Sequence, residues 1–184
     1  MSTIIPTCPT GCSGLIPEVD FNSCDPKVFF GEIEKIYLAA LDFTDFTDFT
    51  DPTEWATAID NTSSATVDNV RELTVSADLP AAEADVVEIS NRRKVHTPST
   101  FTINVTIDDV SETNYELMLW TECNARVKVW FATKDHLYGG NAGVEADIML
   151  RPVIERGVKS MQRLEGTITW ESVHSPVRCD NPLT

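Results

Sequence analysis

Two segments of the chain alternate between apolar and polar residues, and this alternation limits the fold more than any other feature. The segments are FTINVTI (Phe101–Ile107) and LEGTITW (Leu164–Trp170). Successive side chains of a strand point to opposite faces, so a period of two predicts strands with one buried and one solvated face. That pattern is typical of antiparallel sheets.

These segments lie within the predicted strands Thr97–Asp108 and Met161–Ser172, and the same reasoning predicts further strands at Arg71–Ala77, Val86–Ile89, Arg126–Thr133 and Val144–Ile154. Lys35–Ala39 belongs to a segment that fits helical spacing as well as a strand, and we favour the strand. Ser111 is a candidate N-cap for a helix that continues to Thr121. Asp51 followed by Pro52 predicts a short helix over 52–60, with Trp55 facing inward. The fold class predicted is mainly β, an antiparallel β-sandwich or barrel with one packed α-helix.

The chain of 184 residues is long enough for one domain with a sizeable core. We expect an N-terminal arm over 1–27, which is rich in Pro, Gly, Ser and Cys. A β-barrel or sandwich domain follows over 28–173 and includes a loop at 42–51. The last segment, 174–184, is predicted to be a C-terminal tail. The sequence predicts neither a transmembrane helix nor an ordinary secretory signal.

The chain is strongly acidic, with a net charge of −15. Residues 1–90 hold 17 acidic and 3 basic side chains, whereas residues 91–184 hold 12 and 11. Such a charge argues against a protein that grips nucleic acid or an anionic membrane. The acidic half is either an ordinary solvated surface or an anionic surface that repels a passing polyanion such as DNA.

Residues 42–51 read DFTDFTDFTD, a triplet repeated three times. A period of three fits neither a buried strand nor an amphipathic helix. Two interpretations follow. The segment is an expanded surface loop, or it is an arm whose Phe43, Phe46 and Phe49 dock on a neighbouring subunit.

The only basic cluster is Arg92-Arg93-Lys94, which we expect on a hairpin or loop. In a chain this acidic, the cluster is predicted to contact acidic residues of a neighbouring subunit. The alternative is a solvated loop.

Four of the five cysteines lie near the chain ends, in segments without a secondary-structure period: Cys8, Cys12, Cys24 and Cys179. If the termini meet, these four could form a structural zinc site. Disulfides and unbonded thiols are the alternatives, and no other cofactor is expected. Cys123 follows the predicted helix and is interpreted as a small core residue.

Catalytic motifs are not evident. The three histidines, His96, His136 and His174, are far apart in the sequence. The glycine-rich segment Gly139–Gly143 lies between two predicted strands, so it is interpreted as a turn and not as a phosphate loop. We therefore expect a protein that is not an enzyme.

Five segments are distinctive: FFGEIEKIYLA (Phe29–Ala39), DFTDPTEW (Asp48–Trp55), FTINVTIDDVSETNYELM (Phe101–Met118), YGGNAGVEAD (Tyr138–Asp147) and LEGTITWES (Leu164–Ser172). Together they resemble small virion structural proteins of tailed bacteriophages that infect Bacteroidetes-type hosts. The order of strands, the helix between them and the closing GTITW strand are similar to a tail-tube protein.

The resemblance implies a β-barrel subunit that assembles into rings, with hexameric rings stacked into a tube, and no active site or cofactor. DNA would be only a passing cargo, other virion proteins would be partners, and the protein would reside in the virion after assembly in the host cytoplasm. The triple DFT repeat departs from the family pattern. Other hypotheses are a capsid-decorating or connector-ring protein, a soluble metal- or ligand-binding module, and a hydrolase that uses one of the histidines.

Overall fold

The computed structural model describes residue 29 and residues 31–61, 69–82, 86–89, 93–123, 126–157 and 161–183. It contains two helices, α1 (Pro52–Ala58) and α2 (Glu112–Cys123). The ten strands in the described part of the chain are β1 (Ile33–Ala39), β2 (Arg71–Asp78), β3 (Val86–Ile89), β4 (Arg93–His96), β5 (Ser99–Ile107), β6 (Arg126–Ala132), β7 (His136–Tyr138), β8 (Val144–Val153), β9 (Arg163–Ser172) and β10 (Arg178–Asp180).

Six of these strands form a closed antiparallel barrel, which confirms the predicted fold class. The order around the barrel is β1-β2-β5-β9-β8-β6, and β6 pairs with β1 to close it. The longest pairing joins the two alternating segments recognised in the sequence, from Ser99 opposite Ser172 to Ile107 opposite Leu164. Outside the barrel, β7 pairs with β6, and β10 pairs with β7.

The main core fills the barrel with side chains from all six strands, such as Ile36, Val75, Ile103, Val129 and Ile168. Five of the six strands supply every second residue, as the period of two predicts. In β1 the register shifts between Ile33 and Lys35, so this strand supplies Ile33, Ile36 and Leu38. Gly166 allows β9 to pass close to β8, because a Cβ at this position would lie 1.9 Å from the carbonyl oxygen of Met149. The barrel therefore depends on one close backbone approach at the centre of β9.

A second core lies on the outer face of β1 and β6. Tyr37, Trp130 and Ala132 are buried there, although their neighbours in sequence face the barrel interior. These two strands are thus buried on both faces, which differs from the expectation of one solvated face. The outer face is covered by residues 40–51 and by α1, and Cys179 and Leu183 of the C-terminal segment pack at its border.

Both helices start where the sequence predicted. The Asp51 side chain accepts a hydrogen bond of 2.8 Å from the Thr53 N–H, Pro52 occupies the first turn, and Trp55 is fully buried. α2 packs against β8 through Met118, and the Thr121 hydroxyl accepts a hydrogen bond from the Leu150 N–H. α2 runs two residues further than predicted and ends at Cys123, which is exposed and not the core residue expected.

Candidate interaction surfaces

The three phenylalanines of the DFT repeat belong to the chain's own second core, which differs from the docking arm considered from the sequence. Phe43, Phe46 and Phe49 are 6%, 6% and 8% exposed. The Thr and Asp residues between them are exposed or half-buried, so the burial pattern has the same period of three as the sequence. The segment is neither strand nor helix but a succession of turns. Its side chains at intervals of three residues can therefore all face the same core. We call residues 40–51 the strap.

The aromatic rings of the strap pack on two tryptophans. Phe46 lies 4.3 Å from Trp55 and 5.4 Å from Trp130 between ring centroids, and Phe43 lies 5.7 Å from Trp130. Trp55 and Trp130 meet edge to face at 5.6 Å. Each buried phenylalanine contributes about 1.5–3 kcal/mol of burial free energy. The strap therefore stabilises the subunit itself.

Polar contacts hold the strap in register with the glycine-rich turn. The Asn141 side chain accepts a hydrogen bond from the Phe49 N–H (3.1 Å) and donates one to the Thr47 carbonyl (2.9 Å). The Asn141 carbonyl accepts a third from the Phe46 N–H. On the other side, the buried Lys128 ammonium donates to the Phe43 carbonyl (2.7 Å) and to the Asp45 carboxylate (2.6 Å). Turn and strap are thus one unit.

The outer surface of the strap is acidic. Asp42, Asp45 and Asp48 are exposed at intervals of three residues, opposite to the phenylalanines. Hydrogen bonds from the Thr50 hydroxyl and N–H lower the pKa of Asp48 below its usual 3.8, so this carboxylate stays charged in mildly acidic solution. The repeat therefore combines an aromatic inner face with an anionic outer face.

The glycine-rich segment is a turn between β7 and β8, as predicted. Gly139, Gly140 and Gly143 have positive φ angles of 133°, 70° and 70°. The Trp130 indole lies against this turn and donates a hydrogen bond of 2.7 Å to the Gly140 carbonyl. Because these glycines have no side chain, the Trp130 ring can pack closely against the turn.

The described part of the basic cluster lies in β4, which pairs with β3, in agreement with the expected hairpin. Arg92 is outside the described residues, and Arg93 and Lys94 begin β4, where the backbone alone is described. The register places Val87 opposite Val95 and Glu88 opposite Lys94. This two-stranded sheet pairs with no strand of the barrel in the described part of the chain.

Of the four cysteines considered for a zinc site, disulfides or unbonded thiols, Cys8, Cys12 and Cys24 are outside the described residues. Cys179 lies in β10 opposite Leu137 and carries a free thiol. Burial, with a smaller contribution from Asp180, raises the pKa of the Cys179 thiol. Within the described ranges, no group of three or more His, Cys, Asp or Glu residues is arranged to hold a metal ion.

The two ends of the described chain do approach each other. The Phe29 ring packs edge-on against His136, with 4.6 Å between ring centroids. The Nε2 atom of His136 lies 3.9 Å from the Asp180 carboxylate of β10, one residue from Cys179. His136 is buried among these groups, while His174 is exposed on the segment before β10.

Sequence reasoning missed an apolar surface on α2. Tyr115, Leu119 and Trp120 are 41%, 47% and 42% exposed. A groove of about 410 Å³ runs between α2 and the end of β1, and its walls include Leu38, Ala39, Leu117, Trp120 and Val127. Apolar residues occur all around this helix, so its sequence did not distinguish a buried side from an exposed one.

No helix in the described ranges is long and apolar enough to span a bilayer. The chain matches no protein-family model, and comparison with curated proteins and with solved structures found no relative.

Proposed function

We propose that this chain is a structural subunit that assembles with copies of itself into rings, most closely those of a bacteriophage tail tube. The observation that carries the proposal is the β3–β4 hairpin, which pairs with no strand of the closed barrel in the described part of the chain. A two-stranded ribbon is marginally stable on its own in water. Val87, at its centre, is 49% exposed. A ribbon of this kind gains stability when it lies on another molecule.

A strand edge of β5, the strand that follows the hairpin in sequence, supports the same role. β5 pairs with β9 over its whole length, but β2 pairs only with its residues Asn104–Thr106. Residues Ser99–Ile103 therefore have no strand on their second side within the described part of the chain. Unpaired N–H and C=O groups at such an edge are a template for a strand of another subunit.

The charge of the chain suits a conduit for DNA. A surface of net negative charge repels the phosphate backbone, so DNA slides past it without binding. The balanced second half of the chain leaves attractive contacts available between subunits. The resemblance to tail-tube proteins supports this combination, and it makes the virion the proposed location, with other virion proteins as further partners.

The proposal is tested by the assembly state of the purified protein. We expect sedimentation velocity to show concentration-dependent assembly, and negative-stain electron microscopy to show rings with a central channel that stack into tubes. A chain that stays monomeric up to millimolar concentration would contradict self-assembly. Compact trimers without a channel would instead favour a capsid-decorating protein.

A second test addresses the basic cluster. Replacing Arg92, Arg93 and Lys94 with alanine is expected to weaken assembly, most strongly at low salt. Each exposed ion pair contributes only about 0.2–1 kcal/mol, but a ring repeats the contact at every interface. Unchanged assembly at every salt concentration would show that the cluster is a solvated loop.

A further inference from the structure

The first half of β5 is an open strand edge that lacks the usual protection against pairing. Over Ser99–Ile103, β5 has β9 on one side and, in the described ranges, no strand on the other. β2 ends at Asp78, and a continued register would bring Pro80, which has no N–H, opposite Thr102. Natural edges are commonly blunted by charged side chains, by proline or by a short strand. The sequence STFTI of this edge contains neither a charge nor a proline.

A groove beside this edge leaves room for a further strand. Its volume is about 460 Å³, and its lining consists of Pro80, Ala81, Ala82, Pro98, Ser99, Thr100 and Thr102. These side chains are small or carry a hydroxyl group, so neither a bulky nor a charged group of the lining covers the edge. An added strand could therefore reach the β5 backbone.

The open edge of β10 is less suited to receive a strand. Within the described residues β10 pairs only with β7, so its second side is also open. However, β10 has only three residues, and two of them, Arg178 and Asp180, are exposed charges. Shortness and charge are the blunting devices that the β5 edge lacks. The β5 edge is therefore the better receptor.

The two-stranded ribbon supplies a strand of matching length. β3 pairs with β4 on one side and, in the described part of the chain, with no strand on the other. It has four residues, VVEI, three of which are β-branched and favour strands. β4 instead contains Arg93 and Lys94 and continues directly into β5 of its own chain. β3 is therefore the strand of the ribbon that is free to pair.

We propose that β3 of one subunit adds to the Ser99–Ile103 edge of β5 in a second copy of this chain. This inference rests on the proposed self-assembly and names the two strands that meet. Main-chain hydrogen bonds carry a contact of this kind, so it requires no particular side-chain pairing. Because β3 and β5 are different surfaces, the contact is heterologous. Such contacts propagate from copy to copy and close into a ring when the rotation between copies allows it.

Disulfide crosslinking between separately purified chains tests which strands meet. One chain carries Val87→Cys or Glu88→Cys in β3, and the other carries Thr100→Cys or Thr102→Cys in β5. The two chains are mixed as dilute monomers, concentrated to assemble and oxidised with diamide. Mass spectrometry then identifies the linked peptides. Each introduced thiol is on a different chain, so a disulfide between the two is intermolecular, and thermal melting of the monomers verifies that each variant folds.

Two matched variants replace the β5 thiol in this experiment. Thr169→Cys lies directly beside Thr102 in the sheet and is likewise half-buried. A strand added to the β5 edge would lie about 10 Å from β9, beyond the Cα separation of about 4.4–6.8 Å that a disulfide requires. Arg178→Cys places the thiol on β10 and tests the rival edge.

We expect the β5 thiols to crosslink to β3 with at least about fivefold higher yield than Thr169→Cys or Arg178→Cys. Val87 and Glu88 are consecutive strand positions, which face opposite sides of a sheet. One of these two variants should therefore crosslink much better than the other, whereas random collision would link both equally.

Hydrogen exchange of the unmodified protein supplies an independent readout. Alternate amides of a strand point to opposite sides, so the edge-facing amides of Ser99–Ile103 should be those that gain hydrogen bonds. We expect them, and alternate amides of β3, to exchange about tenfold or more slowly in assembled protein than in dilute monomer. The amides of β10 should not change.

Three results in a chain that assembles would overturn the inference while the proposed function stands. The first is the absence of any crosslink between β3 and β5. The second is an equal or higher yield with Arg178→Cys or Thr169→Cys. The third is unchanged exchange at the β5 edge on assembly. A wild-type chain that never assembles would instead refute the proposed function, and the strand pairing with it.

Discussion

The Trp130 indole N–H donates a 2.7 Å hydrogen bond to the carbonyl oxygen of Gly140, and this bond joins β6 to the turn before β8. Gly139 lies against the pyrrole side of the ring, and Gly143 lies against its benzene side. The same turn carries Asn141, which holds the strap. Trp130 is therefore the point at which barrel, turn and strap meet.

Side chains at these two glycines should destabilise the subunit. A Cβ at Gly139 would lie 2.4 Å from Cδ1 of Trp130, and one at Gly143 would lie 2.7 Å from Cζ2. Both residues also have positive φ, which L-residues adopt at a cost. We expect Gly139→Ala and Gly143→Ala each to lower the free energy of unfolding by about 2–4 kcal/mol, measured by urea denaturation.

Gly31→Ala is the control for this experiment, because a Cβ there would meet nothing within 4 Å. Its unfolding free energy should stay within about 0.5 kcal/mol of wild type. Equal stability of all three variants would show that the turn does not pack on Trp130.

Loss of one strap phenylalanine should destabilise the isolated subunit. Phe46 contacts both Trp55 and Trp130 and is 6% exposed, so Phe46→Ala leaves a cavity in the second core. Such changes typically cost about 3–5 kcal/mol. The neighbouring Thr44→Ala, at an exposed position, is the control and should have little effect.

The measurement is chemical denaturation at a concentration where the protein is monomeric. If the phenylalanines served only to dock on another subunit, Phe46→Ala would change assembly and leave the monomer's stability intact. That result would contradict the burial described above.

The barrel could be predicted from sequence because its strands follow a simple physical rule. In β5 and β9 one face is buried and the other is solvated, so hydrophobicity alternates and reveals the strand. The start of α1 was also predictable, since Asp51 and Pro52 act through local backbone chemistry. The alternating strands and the start of α1 are both determined by residues that are close together in the sequence.

The second core was not predicted, because it depends on contacts between distant parts of the chain. The strap reaches Trp130 across more than 80 residues of sequence, and its period of three corresponds to no regular element. One signal was present: the runs IYLA in β1 and VWFA in β6 are continuously apolar, which is typical of strands buried on both faces. The groove beside α2 likewise depends on how α2 sits beside β1.

Removal of the Asn141 side chain should loosen the strap without unfolding the barrel. Asn141→Ala leaves the Phe49 N–H and the Thr47 carbonyl without their partner. The expected loss is about 1–3 kcal/mol of stability. Hydrogen exchange should become faster for the amides of residues 46–50 and stay unchanged in β5 and β9.

The control is Asn104→Ala, whose amide makes only exposed contacts of 3.3 Å with Asp78. It should alter neither the strap nor the global stability appreciably. Faster exchange throughout the barrel in Asn141→Ala would mean that strap and barrel unfold together and not as separate units.

The two cysteines in the described ranges should differ in reactivity. Thiolate is the reactive form of cysteine, and burial raises the pKa of Cys179, so less thiolate is present at any given pH below that pKa. Cys179 is also partly shielded in β10, whereas Cys123 is exposed at the end of α2. We expect iodoacetamide at pH 8 to label Cys123 several times faster than Cys179, as measured by peptide mass spectrometry. Mild denaturant that releases β10 from β7 should remove the difference. Faster labelling of Cys179 in the native protein would contradict its place against the second core.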